Sequence, residues 1–222
     1  TRWLRVAGPL GDLFSLGKDG LQIITNIAPV APEAVLAKIE HELNGSNGVL
    51  VLAPNSPQRW PWIRLIKMLG YEPQMFERAA LLLARFVGIE PEGNKGNSAR
   101  DTFAELFHLY LSGTQALPAQ RCDVIRRLAT SIDPEQHRCA SIALDAMLCT
   151  GHFSSSSSFD FGTRPRDWGW CPKVNRDVWD WYNAAIALVV ELSHAIDNAP
   201  KILARRVREL WAINACHDAL EY

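Results

Sequence analysis

The sequence predicts an all-α fold, a stack of antiparallel helix hairpins forming a HEAT-like or α-solenoid-like array. Three observations carry that expectation. From about Pro61 onward, apolar residues recur at three- and four-residue spacing, the period of a helix with one buried face. The recurrences break where Gly, Pro, Asn and Ser cluster. The clearest start signal is Asp133, a capping residue followed by Pro134 at the first helical position, Glu135 in the first turn and Gln136 placed to bond back.

Residues 1–60 read as an N-terminal helical flank, with helices over 21–27 and 32–43 separated by Ala28 and Pro29. A turn-rich connector over 44–59 follows, and its apolar run at 48–53 reads as a lone strand or an apolar loop laid on the helices. Residues 61–150 form the hairpin array. The first clear helix there, over 73–87, places Met75, Phe76, Ala79, Ala80, Leu82, Leu83 and Phe86 on one face; Pro73 suits its first turn, and Gly88 and Pro91 stop it. Ser98, with Asp101 three residues on, caps a helix over 99–111 whose stripe is Phe103, Leu106, Phe107, Tyr110 and Leu111. Pro118 opens another, and the Asp133 signal starts one that runs to about Cys149 and buries Cys139, Ile142, Ala143, Ala146 and Met147. Helices of this length on short connections pack as antiparallel neighbours, although no strict repeat fixes the class.

Residues 151–173 lose the helical period and form a serine-, aromatic- and base-rich loop, with five serines at 154–158 between Phe153 and Phe159. Residues 174–222 return to long helices. In the first, Val178, Trp181, Tyr182, Ala185, Ile186, Val189, Val190 and Leu192 form a broad apolar face. The last, over 200–220, turns Leu203, Val207, Leu210, Trp211 and Ala215 inward. All four stretches together make one continuous domain.

The 222 residues are 48% hydrophobic and 21% charged, which excludes wholesale disorder. Twenty-three Lys plus Arg against 24 Asp plus Glu leave a formal charge of -1, so no broad basic surface for nucleic acid or anionic lipid is expected. The longest apolar run, 184–190, is far short of the roughly 20 residues that span a bilayer. Five cysteines, odd in number and without a CxxC pair, fit neither a disulfide framework nor a compact zinc module; they suit a reducing cytoplasm. Because Thr1 is not a start methionine and Tyr222 falls within helical periodicity, the expectation is a segment of a larger cytoplasmic protein.

No catalytic constellation emerges. His41, His108, His137, His152, His194 and His217 stand singly, without a nucleophile in an elbow or oxyanion context. The turn at 93–98 is not a Walker A loop, since Lys95 precedes Gly96, and it reads as a polar turn in preference to an anion cradle. Cys139, Cys149, His152 and Cys171 carry donors that suit zinc, yet their spacing matches no zinc module, and no metal or cofactor is predicted. The candidate binding residues are Arg164, Arg166, Trp168, Trp170 and Lys173, because guanidinium groups and indoles recur together at interaction hot spots. The competing reading is that Phe159, Trp168 and Trp170 plug the end of the array.

Three phrases resemble one family: NSARDTFAELF at 97–107, LYLSGTQA at 109–116, and FDFGTRPRDWGW at 159–170 followed by Pro172 and Lys173. They are similar to the C-terminal helical region of bacterial STAND-type P-loop NTPases, the NLR-like antiviral sensors, over about residues 10–195. The resemblance implies a non-catalytic protein-recognition or scaffolding segment, working in anti-phage defence. Its partner would be a foreign protein or another domain or subunit of the parent protein. Walker A and Walker B motifs are absent from these residues, so no family catalytic residue carries over. Two other classes stand beside it: a helical enzyme domain with a zinc or anion site near His152 and Cys171, and nucleic-acid binding through the basic aromatic loop.

Overall fold

The computed structural model describes residues 2–4, 8–45, 48–91, 98–153, 161–163, 165–213 and 216–221. After a 3-10 turn at Arg2–Leu4, these residues hold eleven α-helices: α1 (Gly17–Ile27), α2 (Pro32–Asn44), α3 (Gly48–Leu52), α4 (Arg59–Leu69), α5 (Pro73–Gly88), α6 (Ala99–Glu105), α7 (Pro118–Ala129), α8 (Pro134–Met147), α9 (Asn175–Leu192), α10 (Ala199–Trp211) and α11 (His217–Leu220). The chain is therefore mainly helical. No helix among the described residues is long and apolar enough to cross a membrane.

Local chemistry sets most of these starts. Proline opens α2, α5, α7 and α8, where its missing N–H costs nothing. The Asp133 carboxylate accepts from the Glu135 N–H at 3.0 Å, and Ser98 Oγ accepts from the Asp101 N–H at 3.2 Å. A second cap on α6 comes from outside it. Glu90, buried just beyond the end of α5, accepts from the N–H groups of Ala99 (3.0 Å) and Arg100 (2.8 Å) and from Ser98 Oγ (3.1 Å). Its buried charge is thus met by orphan donors at a helix N-terminus.

The helices pack in chain order. α1 lies on α2, α4 on α5, α7 on α8 and α9 on α10; each of these pairs then rests on the next. The short α6 sits against α4, α5 and α8. One continuous core runs through the stack, from Leu13, Ile24 and Leu36 through Trp62, Phe76, Phe86 and Phe103 to Leu144, Trp181 and Ile202. Two of the three junctions between pairs carry two-pronged arginine–carboxylate bridges: Arg78 to Glu40 (2.8 and 2.5 Å) at the first, and both Arg126 to Glu191 (2.8 and 2.9 Å) and Arg206 to Asp145 (3.1 and 3.2 Å) at the last. Such partly exposed bridges add little stability, but their fixed fork geometry favours one register of pair against pair.

Several sequence expectations need correction. The 48–53 run is the helix α3, with Val51 and Leu52 buried and Val49 and Leu50 exposed. The helix expected over 99–111 stops at Glu105; Tyr110 is exposed and Leu111 takes a left-handed φ of 58°. The terminal helix is divided into α10 and α11, and Val207 and Trp211 are exposed where an inward face was expected. Val190 likewise faces out. Ala215 and the turn residues 93–97 lie outside the described residues.

Candidate functional site

After α6 the chain leaves the helix and bends through 106–117 before α7 begins. Residues 165–170 lie along this bend as a strap. Two backbone bonds join them, Gly113 N–H to Trp168 O (3.0 Å) and Trp170 N–H to Thr114 O (2.8 Å). Between these rungs Gly169 has φ +92°, and a Cβ there would sit 2.5 Å from the Thr114 carbonyl oxygen. Only glycine fits. Asp167 fastens the strap further: its Oδ1 accepts from Tyr71 OH (2.7 Å), Gln115 Nε2 (2.7 Å) and the Gly169 N–H (2.9 Å).

Two arginines sit under this strap. Arg166 lies between the rings of Tyr71 (4.3 Å to the centroid) and Phe161 (4.2 Å), donates to Met68 O at 2.6 Å and approaches Glu72 at 3.5 Å. Arg121, wholly buried on α7, donates to Ala116 O (3.1 Å), His108 O (2.7 Å) and Ser112 Oγ (3.1 Å). Its guanidinium also lies 5.1 Å from the Trp181 ring, which stacks on Trp170 at 5.8 Å. Burial lowers the Arg121 pKa to about 9, so the group stays charged at neutral pH. Carbonyl dipoles and indole faces, in place of a carboxylate, offset its desolvation.

The candidate binding residues thus part company. Arg166 is committed inward, Trp170 is partly buried in the stack, and Lys173 is exposed, its N–H bonded to Asp177 Oδ2 at 2.8 Å at the start of α9. Trp168 projects outward, 54% exposed. Arg164, Phe159 and the serines at 154–158 lie outside the described residues. The thiols proposed for zinc are dispersed: Cys139 is buried against Ala84 O, Cys149 points to Gly151 O, and Cys171 is exposed. No three His, Cys, Asp or Glu side chains gather to hold a metal among the described residues.

A second site was not anticipated. Between α6, α8 and α10 opens a cleft of about 530 Å³, lined by Arg100, Arg138, Arg205 and Arg206 with Asp101, Asp145 and His108, over a floor that includes Ile142 and Ile202. Arg206 is spent on Asp145, and Arg138 on Glu135 (2.9 Å) and Val87 O (2.6 Å). The side chains of Arg100 and Arg205 make no hydrogen bond or ion pair within the described residues. The His108 Nδ1 is buried without a hydrogen-bond partner among them. Its imidazole is held neutral, with a pKa near 4, first by burial and then by the cations Lys67, Arg121 and Arg206.

One of these residues had a signal in the sequence. Arg121 falls on the same helical stripe as Ile125 and Leu128, the mark of an arginine drawn into a core. The cleft had none, because its arginines come from three helices far apart in the chain. Comparisons with protein-family models, with curated proteins and with solved structures gave no match to this chain.

Proposed function

We propose that the chain is a non-catalytic helical scaffold for protein recognition, built as an α-solenoid-like stack, and that it serves as the sensor segment of a cytoplasmic bacterial STAND NTPase in anti-phage defence. The observation that carries the scaffold reading is the packing order: each helix pair rests on the pair next to it in the chain, the arrangement by which solenoids extend. Apolar side chains that remain exposed towards both ends support it, the Trp211 ring keeping one face on His217. Val30 is 81% exposed beyond α1, and Trp211 is 45% exposed at the end of α10. Solenoids cover such ends with further repeats or polar caps. For recognition, the strap offers Trp168 on a backbone pinned at both neighbours, so little conformational entropy is lost when a partner covers it. The STAND assignment comes from the three resembling phrases.

The test is a Trp168→Ala variant of the parent protein in phage-challenged cells. Loss of protection with an unchanged melting temperature is expected. Full protection, or a loss that tracks a lowered melting temperature, would sink the recognition role. A gene whose upstream reading frame lacks a P-loop would remove the STAND assignment and leave the scaffold reading standing.

A further inference from the structure

We propose that the cleft between α6, α8 and α10 binds a phosphorylated small molecule of nucleotide size, its phosphate held by Arg100 and Arg205. This site is separate from the strap and from the recognition role proposed above. Its volume, about 530 Å³, lies within the roughly 300–1,000 Å³ of small-molecule sites.

The wall chemistry selects the ligand. Four guanidinium groups face two carboxylates, and the pairing inside the cleft is uneven. Asp145 neutralises Arg206, while Glu135, outside the cleft, takes Arg138. Arg100 from α6 and Arg205 from α10 line the cleft from two different helices, both exposed, and their guanidinium groups have no acceptor among the described residues. Planar guanidinium forks match phosphate oxygens in pairs, and two of them lining one cleft favour a phosphate, with its several oxygens, over a single carboxylate. In a chain whose net charge is only -1, this is a local excess of positive charge.

The floor is different. Ala104, Ile142, Ala146 and Ile202 present an apolar surface for the organic half of the ligand. His108 also lines the cleft, its imidazole held neutral by burial. Asp101, exposed at the edge of the cleft, supplies a further acceptor suited to ribose or base donors.

The experiment is calorimetric titration of the intact chain with the four ribonucleoside 5′-monophosphates, ATP, the corresponding nucleosides and inorganic phosphate. At least one nucleotide is expected to bind one-to-one with Kd below about 1 mM. Its nucleoside and inorganic phosphate alone should each bind at least about tenfold more weakly, since each lacks half of the contacts. The double variant Arg100→Gln, Arg205→Gln should weaken nucleotide binding by about tenfold to a hundredfold, with the melting temperature of the ligand-free protein unchanged. Arg208→Gln, also on α10 but outside the cleft, should bind as the unaltered chain does. If the double variant does not fold, each single change is titrated in its place. The proposal is overturned if no nucleotide binds below about 1 mM. Binding that survives loss of both arginines, or a nucleoside that binds as tightly as its nucleotide, overturns it equally. None of these outcomes bears on recognition through Trp168.

Discussion

The strap and the cleft are both built around arginine, and they use it in opposite ways. Under the strap, Arg121 and Arg166 direct their donors to carbonyl oxygens and their flat faces to aromatic rings. In the cleft, Arg100 and Arg205 face open volume. An arginine whose donors are consumed by its own chain is architecture; one whose donors meet a cavity is available to a ligand. Arg121 is marked by its place on an apolar stripe, but for Arg166 residue type and spacing do not separate the two cases, because the deciding partner lies far off in sequence: Met68 is 98 residues away.

The sharpest way to break this comparison is at Arg121. Arg121→Met keeps most of the volume but leaves the carbonyls of His108 and Ala116 without that donor inside the core. A loss of about 3 kcal/mol or more is expected in urea unfolding, given charge-assisted bonds of roughly 1.5–3 kcal/mol each. A loss below about 1 kcal/mol would mean that the bend at 106–117 does not depend on this residue.

The second effect is electrostatic. Because the His108 pKa falls from its ordinary 6.5 to about 4 on folding, the unfolded chain binds the extra proton between those values. Stability from this group is therefore complete above about pH 6.5 and is lost as pH falls towards 4, by up to about 3 kcal/mol. His108→Gln should flatten that part of the stability profile relative to the unaltered chain. Parallel profiles for the two proteins would show that His108 is not held neutral.

Within the strap the two tryptophans divide the same way. Trp170→Ala removes a ring stacked on Trp181 and should cost about 2–4 kcal/mol, whereas Trp168→Ala should stay within about 0.5 kcal/mol. Equal losses would show that the outer ring is as much a part of the core as the inner one. The cap at Asp133 falls between these two. Asp133→Ala should cost about 0.5–2 kcal/mol in the same assay, and an unchanged midpoint would deny its bond to the Glu135 N–H a stabilising part.

What the sequence disclosed follows from the range of each interaction. The helices α5, α7 and α8 and the caps at Ser98 and Asp133 were legible, because proline, capping groups and apolar stripes act within a few residues. The end of α6 was not. Nothing near Glu105 forbids another turn of helix, but Arg121 takes the His108 carbonyl and the strap takes Gly113, so tertiary bonds override local propensity. The run at 48–53 failed for the reason short apolar runs usually do: its few residues fit a strand or a helix turn equally well. On α10 the stripe of Leu203, Val207 and Trp211 was visible, yet periodicity shows only that a face is apolar and not whether a neighbour covers it.

The arginine–carboxylate bridges between helix pairs were also beyond reach, since each joins residues 38 to 65 apart. Composition had hinted at balance, with nearly equal numbers of acids and bases. It could not say which bases would be left over.

The most direct measurement is a paired urea unfolding of Arg166→Gln and Arg205→Gln at neutral pH. Arg166→Gln should lose about 2 kcal/mol, because a buried guanidinium gives up two ring faces and the Met68 carbonyl. Arg205→Gln should unfold within about 0.5 kcal/mol of the unaltered chain, as expected for an exposed side chain with no bond to lose. Equal midpoints for the two variants, or a larger loss at Arg205, would contradict the division between an arginine built into the fold and one held open for a ligand.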